Sequence, residues 1–187
     1  MMSASKVVVL LFTVLLTMTG IGLAADTPEW QTRLGQILPL LGHRNWIMIV
    51  DSAYPLQSSA GVETLETNSD QLKVVSTVLS AIDNSIHVRP VVYMDAELPF
   101  VPEKDAPGVT AYREGIKTAL AGHKITTLPH EQIIAKADEV GKTFHIVVLK
   151  TTMALPYTSV FLQLNAKYWS DDAEARMRKA MSSGAGK

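Results

Sequence analysis

The side chains best suited to moving protons near neutral pH are five histidines: His43, His87, His123, His130 and His145. An imidazole titrates close to neutrality, so it can give or take a proton at little cost. His87, His123 and His145 lie at or near the starts of apolar runs and read as partly satisfied edge residues. His43 and His130 each follow the end of a run, where loops meet the ligand-binding edge of a sheet, and both are candidates for function. Asp51 closes the apolar run Trp46–Val50, which puts a carboxylate at a strand's C-terminal end. Asp95 and Glu97 form an acidic pair after a second run; they could serve general acid–base work, and exposed loop carboxylates are the favoured reading. No histidine pair has the i, i+4 spacing of a helical zinc site, and thiolate ligands are absent because the chain has no cysteine. Neither a metal nor a cofactor is expected. A nucleophile elbow, a phosphate loop and a dinucleotide glycine pattern are also missing.

The elements that must position these residues follow from periodicity. Trp30, Leu34, Ile37, Leu38 and Leu41 repeat at helical spacing after the start signal Thr27-Pro28, and Gly42 is expected to end that helix. Trp46–Val50 reads as a buried strand, with Trp46 as a core residue. Tyr54 to Ser69 reads as irregular. Ser69 is the expected cap of a helix carrying Leu72, Val75, Val78, Leu79 and Ile82. Val88 to Met94 reads as a strand, Pro99 to Gly108 as a proline-rich loop, and Tyr112 to Gly122 as a helix and its stop. Lys124 to Leu128 is a short strand, Pro129 opens a helix, and Phe144–Leu149 and Ser159–Leu164 are two more strands. Asp171 is expected to cap a last helix. Strands alternating with helices predict an α/β fold: a single domain with a largely parallel sheet flanked by helices.

The 187 residues are 47% hydrophobic and 19% charged, enough for one domain with a real core. A net charge of -1 gives no electrostatic footprint for nucleic acid. Residues 1–25 have the tripartite pattern of a signal peptide: Lys6, an apolar run from Val7 to Leu16, then small residues up to Ala24-Ala25. A retained membrane anchor is the other reading, since Val7 to Ala25 nearly spans a bilayer. The polar Asp26-Thr27-Pro28 that follows favours cleavage. The expected organisation is a signal peptide over 1–25, the domain over 26–170, and a C-terminal helix with a disordered tail over 171–187. The mature protein is then expected to be periplasmic or secreted, without a stable membrane anchor.

Three ordered stretches carry a family resemblance. The first is Leu41-Gly42-His43, the apolar run, and Asp51-Ser52-Ala53-Tyr54-Pro55. The second is His130-Glu131-Gln132. The third is Lys150 through Leu162, with Pro156-Tyr157 before a Val-Phe-Leu strand. Over about residues 30 to 166 the chain resembles the ribose pyranase and fucose mutarotase family. That resemblance implies interconversion of anomers or ring forms of a free monosaccharide, ribose- or fucose-like, without a cofactor. It implies that His43 is the proton donor, and that Asp51, His130, Tyr157, Thr158 and Ser159 bind the sugar. It also implies a ring-shaped homo-oligomer, commonly a decamer, with the site near a subunit boundary. The chain departs from the family pattern at Thr152-Met153, where Gly-Glu is usual, at Ser159, where Asn is usual, and at Lys150, where Arg is usual. A non-catalytic monosaccharide-binding protein of the cell envelope is the alternative, and a structural envelope protein that kept only the fold is a third.

Overall fold

The computed structural model describes residues 27–184. The expected signal peptide and the last residues of the tail lie outside them. The element order is α1 (Glu29–Ile37), β1 (Trp46–Val50), β2 (Val62–Glu66), α2 (Gln71–Asn84), β3 (Val88–Asp95), α3 (Val109–Ala119), β4 (Ile125–Leu128), α4 (His130–Gly141), β5 (Ile146–Lys150), β6 (Val160–Ala166) and α5 (Asp171–Ser182). Short 3-10 turns follow α1 at Leu38–Leu40 and β3 at Leu98–Phe100.

The six strands lie in the order β2-β5-β1-β6-β3-β4. β1 pairs with β5, β2 with β5, and β3 with β4, all in parallel. β6 runs antiparallel between β1 and β3. Five strands therefore share one direction and β6 opposes them, so the expected largely parallel sheet is what forms.

β1 sits at the centre and every residue of it is buried. Its alternation serves two cores at once. Ile47 and Ile49 pack with Leu34, Val75, Val78, Ile116 and Leu162 on the face covered by α1, α2 and α3. Trp46, Met48 and Val50 pack with Ile133, Ala137 and Phe161 on the face covered by α4. Each Val, Leu, Ile, Met or Phe among them contributes roughly 1.5–3 kcal/mol when withdrawn from water. The helices are amphipathic to match: Val74, Val75, Val78, Leu79 and Ile82 form the buried stripe of α2. α5 has no buried residue. No helix among the described residues is long and apolar enough to cross a membrane.

Several details differ from the sequence reading. The stretch read as irregular from Tyr54 to Ser69 contains β2, an edge strand whose residues are half-buried or exposed. Its pattern Val-Glu-Thr-Leu-Glu is too polar to signal a strand alone, and pairing with β5 supplies what the pattern lacks. Helix α1 ends at Ile37, before Gly42. Pro39, in the 3-10 turn, cannot donate the hydrogen bond that would continue the helix. Asp70, one residue after Ser69, caps α2 by accepting the Lys73 N–H. Ser170 does the same for α5, from Ala173. Pro90 is tolerated because β4 pairs only from Val92 onward, which leaves the first half of β3 with one neighbour.

Candidate functional site

The shared direction of the five strands gathers their ends on one edge, and the β6 start joins them. That edge carries Asp51 after β1, Asp95 at the end of β3, His130 just after β4, Thr151 after β5 and Ser159 before β6. Loops at the C-terminal edge of such a sheet are the usual ligand site of α/β domains.

Asp51 is held by its own turn, since its Oδ1 accepts the Ala53 N–H at 2.8 Å. Its Oδ2 lies 3.4 Å from the Ser159 hydroxyl, which donates to it across the sheet. His130 is the first residue of α4. Pro129 offers that helix no side-chain cap, so Glu97 supplies one: both of its oxygens accept the His130 backbone N–H, at 3.0 and 3.1 Å. A carboxylate at this position also complements the positive end of the helix dipole. The His130 ring Nδ1 is 3.1 Å from Asp95 Oδ1. The Tyr157 ring meets it edge-on, with centroids 5.7 Å apart. Tyr157 has φ of 58°, a left-handed conformation that is uncommon for a residue with a side chain.

Asp51, Tyr54, His130, Glu131, Ile134 and Asp138 line a cleft of about 550 Å³, closed on one side by the loop from Pro55 to Ser59. That volume suits a small polar molecule. Burial, then the nearby Asp138, pushes the Tyr54 hydroxyl up to about 12, so it stays protonated near neutrality and is available as a donor. Tyr157 lines an adjoining, more apolar hollow with Glu97, Phe100 and Pro156.

Behind the cleft, a buried polar frame fixes the segment before β6. The Thr158 carbonyl accepts from Gln71 Nε2 and from the Tyr112 hydroxyl, each at 2.5 Å. The Thr158 side chain donates to the Leu155 carbonyl at 2.9 Å. Thr158 is fully buried, so it forms the wall rather than the lining. Thr151 donates to the Val50 carbonyl, and Met153 accepts the Ser52 N–H with its carbonyl, tying the third stretch to the Asp51 turn. Met153 packs partly against the core, so its position presents no charge.

His43 is elsewhere. It sits with Arg44 in the tight turn Gly42–Asn45, closed by the Asn45 N–H on the Gly42 carbonyl, with Arg44 at φ of 78°. This turn precedes β1, whereas Asp51 follows it. The strand between them is five residues long, about 17 Å at the usual rise per residue. His43 is exposed and lines a separate cleft with Asn165, Tyr168, Trp169, Ser170 and Glu174. The structure therefore brings together Asp51, His130 and Tyr157, with the buried Ser159 hydroxyl on Asp51, places Thr158 behind them, and leaves His43 at the opposite edge of the sheet.

Asp95 is the residue that the sequence reading misjudged. It is buried, not an exposed loop carboxylate. Its Oδ2 is buried without a hydrogen-bond partner. Glu97 is half-buried and serves as the cap of α4. The only signal for either was position, directly after a strand that ends on the functional edge. Among the described residues, no three acidic or histidine side chains converge closely enough to hold a metal ion.

A central, mostly parallel sheet with helices on both faces and an acid–histidine cleft at the strand ends defines a small α/β ligand-site domain. Residues 27–166 match the model of the RbsD / FucU transport protein family, and the chain belongs to that family. Among solved structures, Bacillus subtilis RbsD complexed with D-ribose is similar at 18% identity and a TM-score of 0.51, covering 75% of this chain and 96% of that one. FucU from Bifidobacterium longum is similar at 15% identity and a TM-score of 0.48, covering 72% and 94%. The fucose mutarotase in complex with L-fucose from Streptococcus pneumoniae gives 19% and 0.48, covering 71% and 91%. A search among curated proteins gives no match.

Proposed function

We propose that this protein is a monosaccharide mutarotase or pyranase that interconverts anomers or ring forms of a free sugar by acid–base chemistry. The observation that carries this reading is the convergence of Asp51, His130, Tyr157 and Ser159 on one sheet edge of a family member. The similar B. subtilis RbsD structure, which holds D-ribose, makes a pentose or hexose the class to test first.

Opening a cyclic hemiacetal needs one proton delivered to the ring oxygen and one removed from the anomeric hydroxyl. The ring carbon–oxygen bond then breaks and an open-chain carbonyl forms. Rotation and re-closure, with both proton transfers reversed, yield the other form. Asp51 accepts a hydrogen bond from a sugar hydroxyl, Tyr157 offers a ring face and a hydroxyl, and an imidazole moves protons. Positioned acid–base groups supply about 10² to 10⁴ in rate.

In this reading His43 is the donor and comes from a neighbouring copy. Its turn and Asp51 lie at opposite ends of β1, so one chain cannot present both to one sugar. A homo-oligomer, ring-shaped as the family resemblance implies, would set the His43 edge of one copy against the Asp51 edge of the next. We further propose that the protein acts outside the cytoplasm after removal of residues 1–25. Intact-mass measurement of the secreted protein should give a chain starting at Ala25 or Asp26, and a full-length chain would contradict this.

Saturation-transfer NMR on equilibrated ribose, fucose and other monosaccharides tests the activity. Accelerated anomer or ring exchange, lost on Asp51→Asn, is expected. No acceleration for any sugar in a folded oligomer would refute it. A second reading, a non-catalytic sugar binder, is favoured by Met153, which puts an apolar side chain packed on the core where the family has a charged one. Sugar binding by calorimetry with no exchange would select that reading.

A further inference from the structure

We propose that Asp95 is a positioning residue that holds the His130 imidazole as its Nδ1–H tautomer, so that His130 acts as the proton acceptor within the chain that carries Asp51. The catalytic half of this rests on the acid–base reading above, while the positioning half rests on geometry alone.

The Asp95 side chain is 0% exposed, and one of its oxygens has no partner. A buried carboxylate with an unsatisfied oxygen is a net cost to folding. Structure alone would be better served here by an apolar side chain, since Tyr93 and Leu128, on the same face of the sheet as Asp95, already pack against the core beneath α4. What Asp95 does have is His130 Nδ1, at 3.1 Å.

His130 is held from three directions. Glu97 takes its backbone N–H, Asp95 takes Nδ1, and Tyr157 abuts the ring edge-on. The ring thus has little freedom to turn. Its Nε2 has no hydrogen-bond partner among the described residues, and 30% of the side chain is exposed where it lines the cleft with Asp51. With the proton fixed on Nδ1 by an acceptor-only carboxylate, the lone pair is on Nε2. That nitrogen is then a base for the anomeric hydroxyl. The proton it takes from that hydroxyl is returned when the ring re-closes, so the cycle needs no other reactant. A donor from a neighbouring copy and an acceptor in this one would divide the two proton transfers between two histidines.

The opposite arrangement is chemically distinct. A protonated Asp95 would donate to Nδ1, leave the proton on Nε2 and make His130 a donor. Long-range ¹H–¹⁵N correlation on histidine-labelled protein separates the two, with His130→Gln used only to assign the resonance. The neutral His130 ring should show a protonated Nδ1, and Asp95→Asn, which can donate to Nδ1, should move the proton to Nε2. In exchange measurements Asp95→Asn should lower the maximal rate by roughly tenfold or more with little change in KM, because it acts on proton transfer and not on sugar contact. A wild-type ring protonated on Nε2 would overturn the proposal, and this result needs no variant to fold. So would a tautomer or an exchange rate unchanged in Asp95→Asn. A wild type with no exchange on any sugar would overturn the catalytic role together with the function proposed above, whereas exchange that persists in Asp95→Asn would overturn this proposal alone.

Discussion

At Asp95 burial pushes the carboxyl above its usual range, and His130 pulls it back only in part. The consequence for stability has a definite sign. A carboxyl whose folded pKa is raised favours the folded state below the unfolded pKa, and that contribution is lost as pH rises through the folded value. At neutral pH the ionised group is therefore a burden. Asp95→Asn should raise the thermal midpoint near pH 7, with the gain shrinking as pH falls into the carboxylate range, and thermal melts across pH check this. A residue that lowers stability while serving a site is the trade expected where function depends on it. From the sequence, Asp95 is one of two acids after an apolar run, and exposure is the natural reading. What composition does not reveal is that β4 pairs up to the strand's last residue, with Asp95 opposite Leu128 and the Ala96 N–H on the Leu128 carbonyl. That pairing brings α4, which begins just after β4, to the carboxylate, where His130 meets it.

The elements were most legible where one residue pattern decides the outcome. Trp46–Val50 is apolar throughout because both faces of β1 are covered, and helix α2 shows its stripe plainly. β2 was not legible, because an edge strand owes its form to its partner. The chain entering β2 gives a sharp test at Gly61, where an added Cβ would lie 2.7 Å from the carbonyl oxygen of Gly141, the last residue of α4, and 3.0 Å from that of Phe144 in the following loop. Both are backbone atoms and cannot swing aside. Gly61→Ala should destabilise by roughly 1–3 kcal/mol, read as a lower denaturation midpoint. The wall behind the cleft gives a second test. Tyr112→Phe removes one of the two donors to the Thr158 carbonyl and should cost about 0.5–1.5 kcal/mol, again read from the denaturation midpoint. The Tyr157 segment rests on this frame, so the same variant should also weaken sugar binding measured by calorimetry.

In the whole molecule, the two sheet edges have different contents. One holds Asp51, Asp95, His130, Tyr157 and Ser159, and the other holds His43 with Trp169 and Glu174. The residues His43, Asp51, His130 and Tyr157 could be picked out in the sequence from their resemblance to a family motif. Their distribution over two edges could not, because motif order says nothing about which end of a strand a loop occupies. Beyond residue 166, where the family match ends, Ser170 caps α5, Arg89 binds Asp171 at 2.7 Å, and Glu174 holds the Trp169 indole beside the His43 turn. The shared sugar site proposed for this protein pairs His43 of one copy with Asp51 of another. The most direct measurement co-refolds His43→Ala and Asp51→Asn chains in equal amounts and follows sugar exchange by saturation-transfer NMR. Each variant alone should be inactive, and the mixture should regain about a quarter of wild-type activity, the share of sites that pair an intact His43 with an intact Asp51 in a randomly mixed ring. A mixed oligomer as inactive as its parents would contradict the shared site.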